Sequence, residues 1–159
     1  MRDLWNESWD YEFTIVRNPY ERIFSKAKQQ AKEFGIDYPD PLGFLRWTKD
    51  LLENVIYRDG LGVDDNHFRP QSEFIGKETL WYRLEDQIDK LLDELRRSEI
   101  ISQDTIFPRI NSSFEKSPSI RIPWEDYPSI LDKFINLYRE DFEKFKYSKR
   151  YSIFYSNIL

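Results

Sequence analysis

"EFTIVRNPYERIFSKAKQQA", Glu12 to Ala31, changes character at a single arginine. Phe13-Thr14-Ile15-Val16 is a β-branched and aromatic run of strand length. Directly after Arg17, Asn18 suits an N-cap, Pro19 suits the first helical position, and Glu21 stands where a capping-box carboxylate belongs. The stretch therefore predicts a strand passing straight into a helix. Tyr20, Ile23, Phe24, Ala27, Ala31 and Phe34 recur at helical spacing and predict its buried face, with Lys26, Lys28, Gln29 and Lys32 turned away. Arg17 then sits at the C-terminal lip of a strand beside the free amides of a helix N-terminus, which is where α/β sheets bind anions.

The whole chain has 159 residues, enough for one domain with one core, and 40% hydrophobic with 17% aromatic residues predicts a packed globule over residues 1–159. A net charge of −5 argues against a nucleic-acid binder, although a local basic pocket is compatible with it. The absence of cysteine removes disulfides, thiolate zinc sites and cysteine nucleophiles, and fits a reducing compartment. No apolar run approaches the roughly 20 residues of a membrane span, and "MRDLWNESWD" is too acidic and polar for a secretory signal. These features predict a soluble, cytoplasmic chain.

Beyond the first helix, Asp40-Pro41 reads as N-cap and N1 of a second helix running to about Tyr57, where Asp59-Gly60 and Gly62 end it. Residues 59–78 read as a long polar loop holding the only histidine, His67, and a loop of that length in a compact domain is more often functional than idle. "TLWYRL" predicts a second strand. "EDQIDKLLDELRRS" predicts an amphipathic helix over 85–97, with acids early and bases late as the helix dipole favours. Residues 98–124 are dense in turn formers, and Tyr127, Ile130, Leu131, Phe134, Leu137, Tyr138, Phe142 and Phe145 predict a last helix over 126–145 packed across the sheet. The tail from Lys146 reads equally as strand, helix or docked extension. The class these elements predict is α/β, a small, mainly parallel sheet flanked by more helix than strand.

Four segments together resemble the C-terminal two-thirds of the sulfotransferase family that includes Golgi carbohydrate sulfotransferases and bacterial relatives. "FTIVRNPYERIFSKAK" is similar to the family's strand-turn-helix for the 3′-phosphate of 3′-phosphoadenosine 5′-phosphosulfate, and Arg17, Pro19, Arg22 and Ser25 match its R-x-P-x-x-R-x-x-S pattern. "HFRPQ", His67 to Gln71, is similar to the family's H-W-R-P-Q, with Phe68 in place of tryptophan. "LWYRLEDQIDKLLDEL" and "YREDFEKFKYS" resemble two later blocks, in the family's order.

The resemblance implies a phosphosulfate co-substrate, no metal, and a carbohydrate or other small hydroxyl acceptor. It implies nucleotide contacts from Arg17 and Ser25, and from Asn111 and Ser112 in "NSS". A bidentate guanidinium plus a hydroxyl suits a terminal phosphate. Composition alone favours the plainer reading, in which Arg17 pairs with a carboxylate and Ser25 is a solvated helix serine. Arg22 reads as a structural ion-pair partner near the turn. His67 is the candidate general base for the acceptor proton, and Arg69 the candidate contact to an anionic acceptor; both equally suit a role in fixing the loop by hydrogen bonds to backbone. Asn111 to Ser113 equally suit a self-capping turn, and Glu85 and Asp86 read as acids at a helix N-terminus.

One family element has no counterpart in this sequence. Gly35, Gly43, Gly60, Gly62 and Gly76 are the only glycines, and none belongs to a strand, glycine loop, lysine and helix able to hold a 5′-phosphosulfate. Twelve residues precede Phe13, whereas a strand, loop and crossover helix take roughly 30. The expected fold is thus a P-loop-like sulfotransferase fold without its first strand-loop-helix, inactive alone: a fragment of a longer gene, half of a split enzyme completed by an upstream polypeptide, or a divergent protein that kept the fold and lost the chemistry. The second reading is a non-catalytic interaction domain whose exposed sheet edge docks a partner or a second copy. Trp5, Trp9, Tyr11 and Trp124 suit such a surface or the core.

Overall fold

The computed structural model describes residues 11–33, Gly43, Arg46, residues 48–50, 68–106 and 124–150. Strands β1 (Phe13–Val16) and β2 (Leu80–Arg83) pair in parallel, with Phe13 opposite Leu80 and Val16 opposite Arg83. Helix α1 (Pro19–Glu33) follows β1 after two residues. Asn18 is its N-cap as expected, accepting the Tyr20 N–H on Oδ1 at 3.0 Å. The reciprocal half of the capping box departs from expectation: the Asn18 N–H donates to Glu85 at 2.8 Å, and the Glu21 carboxylate turns toward Arg17. A carboxylate from the end of β2 thus does what a local one was expected to do.

Helix α2 (Ile88–Arg97) starts three residues later than its acidic run suggests. Leu84 to Asp86 form a turn, because both acids find better partners outside a helix: Glu85 takes the Asn18 N–H, and Asp86 grips the Arg83 guanidinium at 2.8 and 2.5 Å. Glu85 therefore sits at the N-terminus of α1 instead of opening α2, and Asp86 pairs with Arg83 just before α2. The expected last helix is two, α3 (Pro128–Leu137) and α4 (Arg139–Lys144), hinged at Tyr138. The ladder bends there without stopping, since the Tyr138 N–H reaches Phe134 O and the Phe142 N–H reaches Tyr138 O, each at 3.1 Å. Within the expected loop 59–78, Gln71–Phe74 forms a 3-10 turn. Gly43, Arg46 and residues 48–50 are helical; the rest of the expected 41–57 helix, Trp5, Trp9 and the tail from 151 lie outside the described residues.

Strand alternation sends neighbouring side chains to opposite faces. On one face Trp81 meets the Phe145 ring at 5.4 Å and Val16 is buried. Behind it lies the main core: Tyr20, Ile23, Phe68, Trp124, Ile130, Phe134, Tyr138 and Phe142. Tyr20 stacks on Phe134 with centroids 4.9 Å apart, and Trp124 lies 5.0 Å from Phe134. Trp124 is a core residue, and no part of an aromatic surface. On the other face Tyr82 packs with Leu91 and Leu95 of α2 and with Tyr11 and Ile101, while Phe13, Ile15 and Leu80 stay 39%, 47% and 45% exposed. The described chain is α/β with more helix than strand, and none of its helices is long and apolar enough to cross a membrane.

Phe134 has no exposed surface and touches four aromatic rings, so Phe134→Ala should cost about 3–5 kcal/mol in urea unfolding. Ile106→Ala, at a residue 86% exposed, should cost less than about 0.5 kcal/mol.

Candidate functional site

Arg17 is the first residue past β1 and the last before the N-cap of α1. Its guanidinium is 23% exposed and lies 3.9 Å from Glu21, four residues on. That contact shows its course: the side chain runs over the first turn of α1, on the stripe that Arg17, Glu21 and Ser25 share at spacings of four. Ser25 is half-buried. Glu21 and Ser25 thus follow one another on one side of α1, with Arg17 beside its start.

The backbone of Arg17 is held from the opposite edge to β2. Its N–H donates to Gln71 Oε1 at 2.9 Å, and Gln71 Nε2 donates back to the Arg17 carbonyl at 2.8 Å. A carboxamide carries one acceptor and one donor group like a peptide, so Gln71 replaces a strand neighbour for one residue. Gln71 is held in turn by Asp141 of α4. The Asp141 carboxylate is wholly buried and accepts the Gln71 N–H at 2.9 Å, the Ser72 N–H at 2.8 Å and Gln71 Nε2 at 3.4 Å. Burying a carboxylate is costly unless donors surround it, and here three do.

The same short segment is pinned at two more places. Arg22 Nη1 donates to the Arg69 carbonyl at 2.6 Å and the Tyr138 hydroxyl donates to the Phe68 carbonyl at 2.8 Å. Burial lowers the Arg22 guanidinium from its ordinary value, opposed by Tyr138 and the Asp141 charge. The Tyr138 hydroxyl is pushed up by burial above its usual range. Across the lip, Glu85 binds the Asn18 N–H with one oxygen and the Tyr147 hydroxyl, at 2.8 Å, with the other; that hydroxyl also lies 3.3 Å from Val16 O. Tyr147 is raised by burial and by Glu85, so it stays a donor.

Arg17 lies at the start of α1 and Ser25 within it, two turns on, and Arg22 bonds a carbonyl where an ion pair was expected. Arg69 is engaged through Nε to Glu73 at 2.8 Å, with Nη2 on the same carboxylate, and its guanidinium lies 5.4 Å over the Phe74 ring. It is thereby tied to its own turn by side-chain contacts, while its carbonyl serves Arg22. His67, Asn111 and Ser112 lie outside the described residues. From sequence Glu85 reads only as an acid at a helix N-terminus, and Gln71, Asp141 and Tyr147 carry no role of their own. The signal available for them was that each falls inside one of the family-like blocks. Among the described residues no cluster of three or more metal-ligating side chains occurs. Comparison of the chain with protein-family models, curated proteins and solved structures returned no match.

Asp141→Asn is nearly isosteric but turns an NH₂ group toward N–H donors. Each buried donor left unpaired costs about 1–3 kcal/mol, so urea unfolding should show a loss in that range or above with an unchanged m-value. Glu143→Gln, at an exposed neighbour, should change stability by less than about 0.5 kcal/mol.

Proposed function

We propose that this chain is a sulfotransferase-type protein that binds the 3′-phosphate end of 3′-phosphoadenosine 5′-phosphosulfate at the β1–α1 lip, with a carbohydrate or other hydroxyl compound as acceptor. The observation carrying this reading is Arg17 at the β1–α1 lip, its side chain 3.9 Å from Glu21, which Ser25 follows at helical spacing. Among the described residues the Arg17 guanidinium meets the Glu21 carboxylate at 3.9 Å. Pairs of that exposed i,i+4 kind are worth about 0.3–0.5 kcal/mol, against roughly 1.5–3 kcal/mol for a charge-assisted hydrogen bond to phosphate. Phosphate therefore displaces Glu21. The bonds joining "RNPYER", "FRPQ", "LWYRLED" and "YREDF" further support the reading, because all four family-like blocks converge on one lip.

In the full reaction the sulfuryl group leaves the phosphosulfate oxygen for the acceptor hydroxyl, whose proton passes to a base, the role proposed for His67, while the donor's phosphate departs with the bridging oxygen. Arg17 and Ser25 act at the far end of the nucleotide: they orient the donor but contribute nothing specific to the transition state. A glycine-lysine loop that would stabilise the departing oxygen has no counterpart among the five glycines. The 159-residue chain by itself binds nucleotide without turnover, and an upstream polypeptide carrying such a loop would complete it.

Calorimetry with adenosine 3′,5′-bisphosphate should show binding that weakens about tenfold or more in Arg17→Ala, and the same samples given labelled donor and a glycan panel should transfer no sulfate. Equal affinity in both proteins would remove Arg17 from the site; turnover by the chain alone would overturn the inactive assignment.

A second reading, a non-catalytic interaction domain, is favoured by one observation. Phe13, Ile15 and Leu80 are exposed on a single face of a two-stranded sheet, a face and edge suited to self-pairing or a partner strand. On this reading sedimentation should show self-association that Ile15→Lys abolishes while secondary structure is kept. A monomer at all concentrations excludes the self-pairing form.

A further inference from the structure

Gln71 has contacts that packing alone does not call for. Its carboxamide touches two groups, the backbone of Arg17 and the carboxylate of Asp141. It occupies the edge of β1 facing away from β2: Val16 O points to the β2 side, where it accepts the Leu84 N–H at 2.8 Å, so the next residue's N–H and C=O point outward. Without a partner there, nothing on that edge would hold the last peptide before the N-cap, and the direction of the Arg17 side chain follows from that peptide. The orientation of the carboxamide is itself set. Asp141 Oδ2 accepts from Nε2, so the amide nitrogen faces Asp141 and the Arg17 carbonyl, and Oε1 is left facing the Arg17 N–H.

We propose that Gln71, oriented by the buried Asp141, is a positioning residue for Arg17, and that the affinity of the lip for a phosphate is set by this relay as much as by the guanidinium itself. The inference rests on the anion-binding reading given above. The chemistry is selective for glutamine. Glutamate could accept from the Arg17 N–H but would set a carboxylate against both the Arg17 carbonyl and Asp141. Asparagine is one methylene too short to span from the 3-10 turn, and methionine matches the shape with neither donor nor acceptor.

A double-mutant cycle on the full chain, read by calorimetry with adenosine 3′,5′-bisphosphate and again with inorganic phosphate, tests this. Gln71→Met should weaken bisphosphate binding about fivefold or more, and adding Gln71→Met to Arg17→Ala should change affinity less than about twofold. The Arg17 amide should exchange its proton faster in Gln71→Met. Circular dichroism melting confirms that each protein is folded; if Gln71→Met is not, Gln71→Asn, which stays polar but falls one methylene short of Arg17, should act in the same direction. Unchanged affinity in Gln71→Met, with Arg17→Ala still weak, overturns the positioning role and leaves the anion site standing. Losses that add in the double variant also overturn it, since Gln71 would then act on the ligand by another route. Slow Arg17 amide exchange in Gln71→Met overturns the clamp without any ligand. An unmodified chain that binds neither probe removes the anion site itself, and this role with it.

Discussion

The Asp141 carboxylate has no exposed surface, and an ion in that position destabilises the fold unless donors replace its lost water. The replacements are the Gln71 and Ser72 N–H groups, the Gln71 carboxamide and, at longer range, the Arg22 charge. Each belongs to a different piece of the molecule from α4. Satisfying one carboxylate therefore ties the 3-10 turn, α1 and α4 together, and through Gln71 it reaches β1. Its chain neighbours Tyr138 and Phe142 belong to the aromatic core, and in surroundings of low polarity each of those hydrogen bonds counts for more.

The knot also explains how an irregular segment can sit still. Phe68, Arg69, Gln71 and Ser72 have backbone groups that a helix or sheet would otherwise have to satisfy. Tyr138 and Arg22 take the two carbonyls, and Asp141 takes the two N–H groups. Side chains thus supply what secondary structure does not, and Arg17 is presented from a fixed backbone. A preorganised guanidinium loses less freedom on meeting an anion than a free one. The exposed, long Arg17–Glu21 contact, by comparison, is the weak link at the lip.

A parallel pair of strands is not self-sufficient, since parallel sheets are ordinarily covered on both faces. Here one face is buried at Val16 and meets the aromatic layer through the Trp81–Phe145 contact, with Thr14, Trp81 and Arg83 partly buried. The other has α2 over Tyr82, with Phe13, Ile15 and Leu80 half open. Tyr82 is central there: its hydroxyl donates to Glu94 and meets Tyr11 at 3.2 Å, and burial with those bonds raises it well above its usual range. Glu94, accepting that hydroxyl, is held below its ordinary value. Its contribution to stability is complete above its ordinary value near 4.5 and fades as pH falls through the lower folded value.

By itself the sequence determined the parts whose causes are short-ranged. Asn18, Pro19 and the apolar stripe from Tyr20 specify where α1 begins and which side it buries, because caps and helical neighbours act within four residues. The β-branched run Phe13 to Val16 and the run Leu80 to Arg83 read as strands for the same reason. Tertiary structure alone decided that Glu85 instead of Glu21 completes the cap, that the last helix bends at Tyr138, and that Gln71 and Asp141 stand behind Arg17. Those bonds join residues 67, 54 and 70 positions apart. No local rule reaches so far: over such distances the partner of a carboxylate or a carboxamide is whichever group the packed core brings within 3 Å, and that is settled by burial of the aromatic rings rather than by spacing along the chain.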